Sequence, residues 1–425
     1  MSYRDGINYL KSKTNVLELH NRFGGRVAVC PDWNGRVMTS TCDGADGSSF
    51  GLININAVEN DSRGGFHFFC GGEDQLTFVP DCGPFNIHYT VELSEKDVPI
   101  LVPAGFREGA FQTDSLPQDN ELRLRRSVQM TNLAGTPFDL DIVRTIRILD
   151  LNSIRSAFGN AVAVSLEQAD VSYIGFTTAN SMLNCGTASS LLSGLVSMRI
   201  QAMFNAGPAT VAVIPFQPGG DDELGPAVQT EFFGSSPHGR FRSLPSAVLL
   251  RCDGKHRCQA SVFPKRAVPY IGAVDFREGT LTLLTFALPK NEAASYYRGS
   301  NYGGVSSYTV PEFSDARRHF LGQSAGTPAV RELSAPSFSR TAAPLDDEGE
   351  VLRAYNHGPS FPGEDEYALF YEFDVFSPTK ELVKGESQTH HQYTLHINAD
   401  NRTLSFLVQK IFGADYDEIY TKMLK

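Results

Sequence analysis

Long apolar runs are missing from this chain of 425 residues: no segment supplies the roughly 18 apolar positions that a membrane-spanning helix requires. Dense basic runs are missing as well. Lys and Arg number 37 against 48 Asp and Glu, a formal charge of −11. A nucleic-acid backbone or an anionic membrane is repelled on average by such a surface, and neither is expected as a partner. The opening stretch, Met-Ser-Tyr-Arg-Asp-Gly-Ile-Asn-Tyr-Leu, has no apolar secretory core, so the expectation is a soluble, cytoplasmic protein. The seven cysteines are odd in number and scattered, without one Cys-x-x-Cys pair, which argues against a zinc site or a disulfide framework and for buried reduced thiols. No metal and no cofactor is expected. Helical periodicity is scarce, and tryptophan occurs once, at Trp33.

What is present is a succession of short runs rich in Val, Ile, Thr, Phe and Tyr between Gly, Pro, Asn and Asp clusters. They fall at 26–31, 36–42, 51–56, 85–93, 138–149, 209–216, 280–288 and 368–377. This predicts an all-β fold, with the number of domains left open by length alone. The main helical signal comes from Leu404, Leu407, Ile411, Phe412, Ile419 and Met423, which fit one helix or two short ones packed outside a sheet. Residues 326–349, with Pro328, Pro336 and Pro344 among small residues, read as an excursion loop.

Two strands carry an arginine on their apolar face. Arg144 alternates in phase with Phe138, Leu140, Ile142, Ile146 and Ile148, and Arg126 with Leu122, Leu124, Val128 and Met130. A guanidinium there needs a carboxylate, carbonyls or a polar cavity to offset its desolvation, so each is either a structural ion pair or a ligand contact. Gly71-Gly72 lets the chain bend sharply and brings Glu73 and Asp74 to a strand end, as a ligand site or as a solvated turn. Glu372 and Asp374, two apart in a strand-like run, project from one face. If that face lines a cavity, their repulsion raises at least one pKa and favours acid–base work.

His390 and His396 share one face of the next strand, roughly 20 Å apart in an extended chain, too far to ligate one metal. Packing is the plainer role for each, with a contribution of His390 to a Glu372 pocket as the alternative. Asn356-His357-Gly358-Pro359 is a polar turn of the kind that concentrates binding residues. Trp33, beside Arg36 in a tight turn, is either a sugar-stacking ring or a packing anchor.

Taken in order, six segments resemble a bacterial family of the galactose-mutarotase-like superfamily, relatives of the aldose 1-epimerases. They are VAVCPDWNGRVMT at 27–39, GGEDQLTFVPDCGPF at 71–85, the stretch around NSMLNCG at 180–204, DGKHRCQASVF at 253–263, the segment 355–359, and FYEFDVFSPTKELVKGESQTHH at 370–391. The resemblance implies an antiparallel β-supersandwich as a single domain over 1–425, with a short C-terminal helix and a carbohydrate ligand. It further implies a late-chain carboxylate base at Glu372 or Asp374, with His67 and His390 as the histidine candidates. Sugar contacts are expected from Trp33, Arg36, Glu73, Asp74, Arg126, Arg144, Asn356 and His357.

The chain departs from nearer relatives, which have Trp at the positions of Thr77 and Arg199, Arg at Gln75, Glu at Asp81 and Asp at His357. Those departures point to a changed ligand or a purely binding role. The functions in view are anomer interconversion, non-catalytic sugar recognition, and oligosaccharide hydrolysis or lysis with Glu73 or Asp74 facing Glu372.

Overall fold

The structure is a computed structural model, and it describes residues 1–60, 70–80, 85, 87, 110–114, 120–132, 135–189, 194–230, 239–289, 296, 349–358 and 369–425. The run at 85–93, apart from Phe85 and Ile87, and all but the last residue of the 326–349 excursion lie outside the described residues, as does His67.

Among the described residues, eighteen strands alternate with few helices. They are β1 Leu17–His20, β2 Arg26–Cys30, β3 Arg36–Thr41, β4 Gln75–Val79, β5 Gln112–Thr113 and β6 Glu121–Thr131. Next come β7 Pro137–Ile148, β8 Ser172–Asn184, β9 Ser197–Asn205, β10 Thr210–Pro215, β11 Phe241–Ser243 and β12 Ala247–Arg251. The last six are β13 Cys258–Val262, β14 Tyr270–Asp275, β15 Thr280–Phe286, β16 Leu352–Asn356, β17 Phe370–Phe376 and β18 Ser387–Asn398.

They form a ten-stranded sheet in the order β11-β12-β10-β14-β15-β18-β8-β7-β6-β5, a five-stranded sheet β13-β16-β17-β9-β4, and a three-stranded sheet β1-β2-β3. Every pairing within these sheets is antiparallel. The long strand β18 is central, joining β15 on one side to β8 on the other.

Period-two alternation decides the layers. On β6 and β7 every second residue is buried, including Leu122, Leu124, Val128, Leu140, Ile142 and Ile146, and these pack with Leu76 and Phe78 of β4. Further along the same interface, Ala212, Ile271, Ala273 and Leu284 of the large sheet meet Phe373 and Val375 of β17 and Ala260 of β13. Each such aliphatic or aromatic side chain contributes about 1.5–3 kcal/mol on leaving water.

The opposite face of the large sheet is apolar as well, with Val211, Val213, Leu281, Leu283, Leu395 and Ile397. It is covered by the helices Leu151–Phe158, Asn160–Ser165, Asn401–Phe412 and Tyr416–Leu424. The apolar stripe near the C-terminus is therefore two helices, each begun by an aspartate cap: Asp400 accepts from Thr403 N and Asp415 from Glu418 N.

One run behaves differently from its expected strand. Residues 51–56 make only isolated bridges at Gly51 and Ile53, and the chain then turns into the helix Ile55–Asn60. Asn54 is the reason: its side chain accepts a hydrogen bond from Ala57 N at 3.1 Å, the geometry of a helix N-cap. A helix at Tyr3–Lys11 also escaped the pattern reading, although Ser2 caps it by accepting from Asp5 N.

Candidate functional site

The five-stranded sheet has two unlike faces. One presents Tyr371, Phe373 and Val375 to the large sheet. The other is rich in polar side chains, with Met203 abreast of Glu372 and Phe376 beneath Arg353 among them, because the register sets residues of like parity abreast. Ser261, Arg353, Asp374, Gln201 and Gln75 form one row, and Gln259, Tyr355 and Glu372 the next. Arg199 and Thr77 follow on β9 and β4. This face is buried nonetheless. Asp374, Ser261 and Thr77 are solvent-free, and Glu372, Gln201 and Arg353 keep only slight exposure.

Contacts on this face bring like and unlike charges together. Gln201 Nε2 donates to Glu372 Oε1 at 2.9 Å. Arg353 Nη1 donates to Asp374 Oδ2 at 3.3 Å, while its Nη2 donates to Glu350, which also accepts from Ser261 Oγ. Arg199 Nε donates to Thr77 Oγ1 at 2.9 Å. Burial first, and the neighbouring Asp374 second, push the Glu372 carboxyl well above the usual carboxylate range. The protonated form of Glu372 is thereby favoured, and its carboxyl shares a hydrogen bond with that of Asp374. Two amide oxygens on this face, Gln201 Oε1 and Gln75 Oε1, are buried and receive no hydrogen bond. Tyr355, facing Glu372 across β16 and β17, hydrogen-bonds His357 Nδ1 at 2.9 Å, and the His357 ring stacks on Phe370 at 4.5 Å.

The remaining sequence candidates lie elsewhere. Gly71 and Gly72 do bend the chain, with φ of +95° and +110°. A Cβ on Gly72 would stand 2.3 Å from Arg36 Cδ, so only glycine fits. The acids that follow are not on a solvated turn: both are fully buried between the two larger sheets. Asp74 pairs with Arg144 and accepts from Thr178 Oγ1 at 2.7 Å and Gln392 Nε2 at 3.3 Å. Arg144 also donates to Gly35 O at 2.8 Å and Asn180 Oδ1 at 2.6 Å. Glu73 accepts from Ser40 Oγ at 3.0 Å and lies 3.5 Å from His396 Nε2, whose ring stacks on Phe50. Glu73 and Asp74 thus reach toward the large sheet, whereas Glu372 points away from it. The opposed carboxylates of a glycosidase-type cleft are not assembled from these residues.

His390 is likewise on the inner face of the large sheet, abreast of Asn180 and Arg144, and so on the far side of the five-stranded sheet from Glu372. Burial pushes its imidazole down to about 4. Arg36 donates to Cys70 Sγ and to Gly71 O; Arg126 donates to Asn34 Oδ1 at 3.1 Å and lies over the Phe111 ring. Asn356 fastens the turn after Asp253, accepting from Gly254 N and donating to His256 O. Trp33, 2% exposed, packs with Tyr3, Ile7, Leu10 and Met38, the packing alternative for that ring. Six cysteines are free thiols, five of them buried; Cys82 lies outside the described residues.

The sequence reading missed Arg353, Glu350, Gln201, Tyr355, Gln259 and Ser261. Their only local signal was polar residues alternating with apolar ones in 197–205, 258–262 and 352–356, and pairing alone reveals that these meet β17.

Comparison with known families gives one match, covering residues 1–306 and 339–423. The chain belongs to the family of unknown function DUF6786. No curated protein matches it. Among solved structures this member of the family is similar to a candidate aldose 1-epimerase from Escherichia coli K12, at 11% identity, 91% of this chain and 99% of the other, TM-score 0.47. It is also similar to a galactose mutarotase-like protein from Lactobacillus casei, at 10% identity, 90% and 99% coverage and TM-score 0.42. A third is a candidate aldose 1-epimerase from Klebsiella pneumoniae, at 12% identity, 93% and 82% coverage and TM-score 0.43.

Proposed function

We propose that the polar face of the five-stranded sheet is a carbohydrate site, and that the Glu372–Asp374 pair performs acid–base chemistry at the anomeric centre. The observation that carries this reading is a pair of carboxyls on one buried face, with burial and the neighbouring Asp374 favouring the protonated form of Glu372. One group can give a proton while the other takes one. In anomer interconversion Asp374 accepts the proton of the anomeric hydroxyl and Glu372 donates to the ring oxygen. The bond from the anomeric carbon to the ring oxygen breaks, the carbonyl forms, and reclosure from the other side reverses both transfers. No external reactant is consumed.

The imidazole sharing this face is His357, not His390, and its tie to Tyr355 makes it a positioning group at the edge of the site. The reading is tested by measuring anomer exchange of D-glucose and D-galactose by NMR with wild type, Glu372→Gln and Asp374→Asn. Exchange faster than the buffer rate, lost in both variants, is the expected result. Thermal stabilisation by a sugar without faster exchange would leave a recognition site and remove the catalytic step.

A further inference from the structure

We infer that Arg353 is the positioning residue of this site: it fixes which of the two neighbouring carboxyls keeps the proton, holding Asp374 as the base and leaving Glu372 as the acid. The inference rests on the acid–base reading of the same pair. Among the described residues, the ionisable groups buried on this face are the acids Glu350, Glu372 and Asp374 and the guanidiniums of Arg199 and Arg353. Tyr355, tied to His357, faces Glu372 from β16, and Arg257 lies beside Tyr355 at the half-buried rim, where water screens its charge. An uncompensated charge is expensive in such surroundings, so three acids against two buried cations retain one proton between them.

Hydrogen bonds decide where that proton sits. Arg353 Nη1 donates to Asp374 Oδ2 at 3.3 Å and its Nη2 to Glu350, which also accepts from Ser261 Oγ. Glu372 is bonded instead by the Gln201 amide at 2.9 Å and by the Asp374 carboxyl. Arg199 Nε is turned to Thr77 Oγ1, and its pull on Glu372 ranks behind the effects of Asp374 and Gln201. A carboxylate bonded by a guanidinium stays ionised more readily than one bonded by an amide, so the proton is left to Glu372. Glu350 tempers that bias, because a second carboxylate draws on the same guanidinium.

The test is infrared titration of the full chain, following the C=O stretch of the protonated carboxyl that is lost in Glu372→Gln. In Glu350→Gln the guanidinium is left to Asp374 and one negative charge is gone, so Glu372 should release its proton about one pH unit lower than in wild type. Arg353→Met should move that midpoint upward by a similar amount and add a second protonated-carboxyl band, assigned to Asp374 by its loss when Asp374→Asn is combined with it. Arg353→Lys, which keeps the charge, should return the midpoint toward the wild-type value and remove the second band. The alkaline limb of the anomer-exchange profile should follow the same shifts, whereas a side chain that only packs would change the rate and not its pH dependence.

Shifts of one sign in Glu350→Gln and Arg353→Met overturn the inference, as does a lysine variant indistinguishable from the methionine one. If Arg353→Met does not fold, Glu350→Gln decides alone, and an unmoved midpoint there overturns it. Infrared shifts in the expected directions, with no acceleration of anomer exchange by wild type, would uphold the hold of Arg353 on the pair and fail the acid–base reading instead.

Discussion

Two buried arginine–aspartate pairs can be set side by side. Between the sheets, Arg144 has Asp74, Asn180 and Gly35 as partners, and the second oxygen of Asp74 accepts from Thr178 and Gln392. On the outer face of the five-stranded sheet, Arg353 is shared between Asp374 and Glu350, and Asp374 shares a hydrogen bond with a second carboxyl, Glu372. A carboxylate whose oxygens are all engaged has its charge locked into the fold. One paired with a second carboxyl that can carry a proton retains chemistry to do. Burial alone does not tell such groups apart; the distribution of their hydrogen bonds does.

The comparison breaks most visibly if Arg144 is replaced. Arg144→Met leaves Asp74 charged, buried and without its cation, and should lower stability by about 3–5 kcal/mol in urea unfolding. A second effect comes from His390. Its folded-state pKa of about 4 lies below the ordinary 6.5, so the unfolded chain binds the extra proton between those values. Stability is complete above pH 6.5 and is lost as pH falls toward 4, by about 3 kcal/mol in all. His390→Gln should remove that part of the pH profile of the unfolding midpoint.

On the other face the expected effects are smaller. Asp374→Asn should cost about 1 kcal/mol, well short of Arg144→Met, because Arg353 keeps Glu350. Glu372 reverses the sign of the His390 effect. Its raised folded-state pKa makes the native state hold a proton the unfolded chain has released, so stability falls as pH rises above the ordinary glutamate range of about 4.5. Glu372→Gln should flatten that decline and give a variant more stable than wild type at alkaline pH. An equal decline in the variant would assign the slope to other groups.

Legibility in the sequence followed the range of the interaction. Alternation in β6 and β7 is local, and it identified both strands and placed Arg126 and Arg144 on their buried faces. The two C-terminal helices announced themselves by a stripe, and the shared face of Glu372 and Asp374 followed from period two alone. Which side of the five-stranded sheet that face occupies was not legible. It depends on β9, about 170 residues earlier, and on β4, about 300 earlier, and no periodicity within β17 encodes them. For the same reason His390 resembled a partner of Glu372: it is near in sequence but belongs to another sheet. Gln201 gave no sign of a part in the site, since a glutamine in a strand gains meaning only from what stands beside it, and Gln75 stood out only as a departure from the arginine of nearer relatives.

The central place of β18 bears on how the chain is made. Strands β5 to β8, and strands β10 to β12 with β14 and β15, are all synthesised before residues 387–398 arrive to join the two halves. Until then β8 and β15 each expose a long unpaired edge, the kind of edge on which nascent chains pair with one another. The last strand to be translated thus works as a zip, and the interval before it closes is the protein's most vulnerable time on the ribosome.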